Sequence, residues 1–152
     1  MKYFWGEYSF MMSWNTVLPA ENITVRDCTV VRSESRAVFG AQHGGGAQLS
    51  DYVLENIVVE GDVQAPFSIS VKTNPWGGSA TGTIRDVIFR NVTFTGSAKA
   101  FSVLRGHGPA AGPGGMSNFS FVNLSISGTH VANAAEGHFI IDAKTVANVS
   151  FT

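Results

Sequence analysis

Cysteine occurs once in the 152 residues, as Cys28, so neither an intrachain disulfide nor a cysteine-based zinc cluster holds this chain together. Charge is scarce as well. Charged residues make up 14% of the chain and the formal net charge is −1, which excludes the basic field that a nucleic acid or an anionic membrane surface would require. No apolar run approaches the ~18 residues of a membrane-spanning helix. Lysine (4), glutamate (6) and leucine (5) are too few for a helical bundle. The dipeptides Asn-Gly and Asp-Gly, which make the tight turns of hairpin-built sandwiches, are absent. The aromatic first 20 residues are interrupted by Glu7, and Pro19-Ala20 makes a poor cleavage site, so no secretory signal is expected there. The glycine runs lack the Lys-Ser/Thr of a phosphate loop or the serine of a nucleophile elbow, and no metal-ligand spacing is present. No cofactor and no metal site is expected.

What remains is a β composition: 17 Val and 8 Ile beside 17 Gly, 15 Ser, 11 Thr and 9 Asn. It is also periodic. The segments beginning at Ile23, Tyr52, Val87, Phe119 and Val149 start 29, 35, 32 and 30 residues apart. Each alternates apolar and polar or small residues, and the four complete ones close on Asp27, Asn56, Asn91 and Asn123. A second alternating stretch follows, as in Val92-Thr93-Phe94, and usually a glycine such as Gly61, Gly96 or Gly128. Further on come Ala37-Val38-Phe39, Phe67 to Val71, Phe101 to Leu104 and Phe139 to Ile141. The unit is strand, Asn bend, strand, turn, with about three short strands and no helical period.

One such unit cannot bury its inward side chains alone, whereas stacked units can. The expected fold is all-β: a right-handed, single-stranded parallel β-helix of four to five turns, with residues 1–152 as one domain or as part of a longer solenoid. The repeated Asp and Asn residues would stack at one bend, where they tolerate left-handed backbone and their amides bond along the column. His43-Gly44-Gly45-Gly46 and the run Gly106 to Gly115 are too glycine-rich for strands and should leave the coil as loops.

The passage Ser70-Val71-Lys72-Thr73-Asn74-Pro75-Trp76-Gly77-Gly78, followed by Gly82-Thr83-Ile84-Arg85-Asp86-Val87-Ile88-Phe89-Arg90-Asn91, resembles a stretch of polygalacturonase-type glycoside hydrolases. Those belong to the pectin-lyase-like superfamily of right-handed parallel β-helices; dextranases and isopullulanases are a looser match to the first repeat. The resemblance implies a polysaccharide partner, an extracellular setting if that partner is real, and, for any activity, glycoside hydrolysis. The family's catalytic pattern is incomplete. Where two adjacent aspartates would precede a short apolar strand, the chain has Glu34-Ser35. The arginine that would grip a substrate carboxylate is Ser70, while its lysine neighbour remains as Lys72. Gly106-His107-Gly108 spells the family's Gly-His-Gly but follows the lysine motif instead of preceding it. Inverting hydrolysis needs two carboxyl groups about 6.5–9.5 Å apart, and those positions do not supply the pair.

Glu34 is thus the one candidate catalytic acid or base, set against a solvated carboxylate between Arg32 and Arg36. Glu136 and Asp142 are the other carboxylates near presumptive loops. The candidate glycan contacts are Lys72, Trp76, His43, His107 and Arg105. Lys72 would meet hydroxyls or a carboxylate, Trp76 would present an indole face to a sugar ring or merely anchor its turn, and the two histidines would act from glycine loops or simply sit in them. Asn-x-Ser/Thr occurs at Asn22, Asn91, Asn118, Asn123 and Asn148, a spelling that strand alternation also produces. Cys28 reads as a small core residue. A solenoid exposes core and backbone edges at its ends, so self-association, most simply as a homodimer, is the expectation if nothing covers them.

Overall fold

The computed structural model describes residues 8–73 and 78–152, and every regular element in them is a strand. They are β1 (Tyr8–Ser13), β2 (Ala20–Val30), β3 (Ala37–His43), β4 (Gln48–Val59), β5 (Phe67–Val71), β6 (Thr83–Phe94), β7 (Ser102–Arg105), β8 (Met116–Ile126), β9 (Thr129–His130), β10 (Phe139–Ile141) and β11 (Val146–Phe151). β1, β3, β5, β7 and β10 form one sheet in that order, and β2, β4, β6, β8 and β11 form the other. Every neighbouring pair on these two paths is parallel. The small β9 adds to β8 antiparallel. Since the chain alternates between the sheets and each strand pairs with its equivalent one turn away, the molecule is a parallel β-solenoid of about four turns, as the repeat implies.

The long strands are not straight. In β6 the buried residues are Ile84, Val87, Phe89, Val92 and Phe94, a spacing of three, two, three, two where an unbroken strand would keep to two. The two skipped residues, Asp86 and Asn91, have positive φ (57° and 53°). One left-handed residue turns the chain and resets which side chain points inward. The same pair recurs in every complete long strand: Asn22 and Asp27, Asp51 and Asn56, Asn118 and Asn123, with Asn148 in β11. The repeat therefore has two bends per long strand, one more than the Asn column alone suggested. Asn and Asp hold these positions because their short polar side chains lessen the left-handed penalty of about 1–2 kcal/mol borne by other residues.

The second bend column is a continuous amide ladder. The Asn56 amide donates to Asp27 (2.9 Å), Asn91 to Asn56 (2.9 Å) and Asn123 to Asn91 (3.0 Å). In the first column Asn148 donates to Asn118 (3.0 Å) and Asn118 to Asp86 (2.7 Å). All five Asn-x-Ser/Thr asparagines lie at these bends, which accounts for the spelling.

Inside, the rungs stack like on like. Phe89, Phe121 and Phe151 pile face to face with centroids 5.2 and 4.9 Å apart. Phe10, Phe39 and Phe67 do the same from the other sheet at 5.2 and 5.3 Å. Fully burying each such ring is worth about 1.5–3 kcal/mol. That second column has a defect. Register places Ser102, not Phe101, between Phe67 and Phe139, because Leu104 has to face inward beside Ile69. Phe139 closes much of the gap, reaching a stacked contact with Phe67 at 5.4 Å. Phe101 is left 57% exposed and the buried Ser102 hydroxyl has no partner. Cys28, half-buried, packs against the core from the first rung.

Candidate functional site

The outer face of the five-stranded sheet carries an open groove of about 360 Å3. Its floor comes from the outward residues of successive rungs, Ser68 and Ser70 of β5 and Val103 and Arg105 of β7, with Ile140 of β10 at one end. Tyr8 bounds it toward the first rung. The Tyr8 ring lies on β3 at Gly40, where an added Cβ would come within 1.9 Å of the ring, so glycine is what lets the aromatic side chain settle there. Tyr8 itself is only 5% exposed, and its buried hydroxyl finds no hydrogen-bond partner among the described residues. Lys72, directly after β5, and Gly106-His107, directly after β7, complete the rim together with Arg36.

Three of the sequence candidates, Lys72, Arg105 and His107, are therefore brought together although more than 30 residues separate the first from the other two. Parallel pairing does this: Ser70 of β5 is in register with Arg105 of β7, and each strand then runs off the sheet in the same direction. The Ser70 hydroxyl donates to the Ala41 carbonyl at 3.3 Å, tying the groove floor to the rung before it. Arg36 and Tyr8 are among the groove residues that the sequence does not mark as contacts. In the sequence Arg36 reads only as a flank of Glu34, and the fold shows that it lines the groove.

His43 has to be corrected. The glycines after it do not carry it toward solvent; it is the last residue of β3 and fully buried. One ring nitrogen, Nε2, donates to the Ala47 carbonyl (2.9 Å), so Nδ1 accepts from the Ser13 hydroxyl (2.9 Å). A side chain at position 82 would collide with this ring, since an added Cβ lies 2.1 Å from Nε2, and Gly82 leaves the room. Desolvation pushes the His43 pKa below its ordinary 6.5, against a smaller opposing effect of the bond to Ala47. His43 is a structural clamp between the first two rungs, with Gly82 of the third leaving it room.

Glu34 also lies away from the groove. It is exposed and ion-paired with Arg32, while Ser33 and Ser35 on either side are buried against Ser9. Glu136 is engaged locally, accepting from the Ala132 N–H and the Asn133 amide (both 2.8 Å), and Asp142 accepts from the Lys144 N–H (3.2 Å). Trp76 falls in residues 74–77, outside the described residues. The run Gly106 to Gly115 does leave the coil and folds back on itself, with the His107 N–H donating to Gly114 (2.8 Å) and Gly112 to Pro109 (2.8 Å). Its far side walls a second polar groove of about 420 Å3 over Gln48, Thr83, Arg85 and Ser117.

A carboxylate pair does exist, in a place the motif comparison does not reach. Asp51 and Asp86, 35 residues apart, occupy neighbouring rungs of the first bend column and share a shallow groove with Asn22 and Asn118. Asp86 is already held by the Asn118 amide and by Arg85 (3.8 Å), so the pair belongs to the ladder. The signal for this column was legible: Asn22, Asp51, Asp86 and Asn118 each precede a residue of the recognised column by five.

Chemically, the groove on the five-stranded sheet offers cations, hydroxyls and an imidazole, and no carboxylate lines it among the described residues. Its described residues can hydrogen-bond and orient a polar ligand, and they do not include the two carboxyl groups that glycoside hydrolysis requires. No protein-family model matches the chain, and neither the curated proteins nor the solved structures contain a match to it.

Proposed function

We propose that this solenoid is a carbohydrate-directed protein that binds a polysaccharide or oligosaccharide along the outer face of its five-stranded sheet, without cleaving it. The observation that carries the reading is the convergence of Lys72, Arg105 and His107 with Ser68 and Ser70 in one open groove. A groove that runs across rungs offers a regular array of donors to a ligand that is itself a repeating chain. The Lys72 motif supports a relation to the pectin-lyase-like β-helices, in a member that has lost one of two catalytic carboxylates at Glu34-Ser35. Phe101, exposed in the same outward row as Val103 and Arg105, is a stacking surface for a sugar ring.

A glycan array, with pectin, dextran and pullulan binding and reducing-sugar release measured alongside, tests the reading. Binding that weakens at least about tenfold in Lys72→Ala, the size of one charged hydrogen bond, is the expected result. Binding to none of them, with no sugar released, would remove it.

A second reading, self-association through the first rung, is favoured by apolar exposure there: Val17 is 76% exposed, Leu18 74% and Val31 71%. Among the described residues no strand covers the outer edge of β2.

A further inference from the structure

The second polar groove, of about 420 Å3 on the outer face of the six-stranded sheet, has no part in the binding proposed above, yet its side chains are set close together by register. Gln48 of β4 pairs with Thr83 of β6. Arg85, two residues along β6 on the same face as Thr83 with buried Ile84 between them, pairs with Ser117 of β8. With strands about 4.8 Å apart and alternate residues about 6.6 Å apart along a strand, an amide, two hydroxyls and a guanidinium fall within reach of one small ligand. The wall is held firmly. The loop after β7 is pinned to the third rung by the Gly114 N–H, which donates to the Thr81 and Gly82 carbonyls (both 3.1 Å), and to the last rung by the Ala110 N–H on the Lys144 carbonyl (3.3 Å). Gly108 and Gly115 allow so compact a loop, since an added Cβ would lie 2.1 Å from the Pro113 carbonyl oxygen and 2.2 Å from that of Pro109. Ala111 and Pro113 thereby give the groove a preformed apolar side.

We infer that this groove binds neutral sugar residues, with Gln48, Thr83, Arg85 and Ser117 hydrogen-bonding the ring hydroxyls and Ala111 and Pro113 packed against the C–H side of the ring. The donor and acceptor inventory selects the ligand. An amide and two hydroxyls both give and take hydrogen bonds, as sugar hydroxyls do, whereas an anion only accepts and would leave the Gln48 carbonyl unused. The charge selects in the same direction. Asp86 approaches Arg85 at Nε (3.8 Å), offsetting its charge while the two terminal nitrogens of the fork remain as donors. A wholly apolar ligand would strip water from these groups and pair none of them. The carbohydrate class rests on the reading above; the location of the site and its preference for an uncharged, hydroxylated ligand do not.

Titration calorimetry tests the site with isomaltohexaose and maltohexaose as neutral probes and a galacturonate hexamer as the acidic one. At least one neutral hexaose is expected to bind, with an affinity that changes less than about twofold between low and high salt, because no net charge is involved. Gln48→Ala should weaken it about fivefold and Arg85→Ala about tenfold, the scale of a neutral and of a charge-assisted hydrogen bond. Ala111→Leu, which fills the groove, should abolish it. All three positions are exposed, so the fold tolerates the changes. Neutral binding that none of the three variants alters overturns the inference; if Lys72→Ala weakens it instead, the carbohydrate reading stands. Binding of the galacturonate hexamer alone also overturns the inference and leaves that reading in place. A galacturonate hexamer that binds as well as the neutral sugars and weakens equally in Gln48→Ala overturns the preference for an uncharged ligand. No binding by any probe sinks both.

Discussion

Ser102 shows how a single position can be set against its own column. Inward residues on either side of it in the stack are phenylalanines, and its hydroxyl is buried without a partner. An unsatisfied buried hydroxyl costs about 1–3 kcal/mol, so Ser102→Ala is expected to stabilise the protein by about 1 kcal/mol in urea unfolding. A loss of stability would mean that the hydroxyl has a partner after all. His43 is the opposite case, a buried polar ring with both nitrogens satisfied. Its pKa is lowered by burial, so below about pH 6.5 the unfolded chain binds a proton that the folded chain refuses. Stability should be flat above that pH on this account and fall as the pH drops through the depressed folded value. Denaturation midpoints measured from pH 5 to 8 should show the slope in the native protein and lose it in His43→Gln. An unchanged slope would place the titration elsewhere.

Among the elements, the bent strands carry most of the information. A left-handed residue every five or so positions replaces simple alternation by the three-two-three-two spacing, and Asn or Asp at the bend serves both the backbone and the ladder. The two columns differ where aspartates meet. Asp86 accepts from Asn118 but has no proton to pass on to Asp51, and two carboxylates in neighbouring rungs repel. Asp86→Asn should complete the column, at the expense only of an exposed ion pair with Arg85 that is worth little. The expected gain is about 0.5–1 kcal/mol. Asn91→Asp, which keeps the bend but cannot donate to Asn56, should lose about as much. Thermal unfolding of the two variants checks both signs, and a shared sign would show that backbone preference, not the ladder, governs these sites.

Across the whole molecule, stacking leaves the first rung with apolar residues in solvent, Met11, Val17, Leu18, Ile23 and Val31 among them. If this face joins a second copy, light scattering at micromolar concentration should give twice the mass of the chain, and Leu18→Lys should return it to the monomer. A monomeric mass for the native protein would rule that association out. The solenoid itself was legible from one sequence because its cause is local: each repeat writes the same inward side chains and the same bend, and only stacking satisfies them. Two things escaped. Ser102 and Phe101 could not be told apart as inward and outward, since a short strand without a bend residue has no mark of its phase. His43 was misplaced because adjacent glycines read as freedom, when here they make room for a buried ring.

The sequence by itself determined the fold class, the rung spacing and the second bend column, all consequences of periodic patterning along the chain. Only the tertiary structure decided which residues share a groove. Arg36, Lys72, Arg105 and Tyr8 lie in four different rungs. Parallel register puts them along one groove, and register depends on the side chains of every neighbouring strand at once, so no single segment encodes the groove.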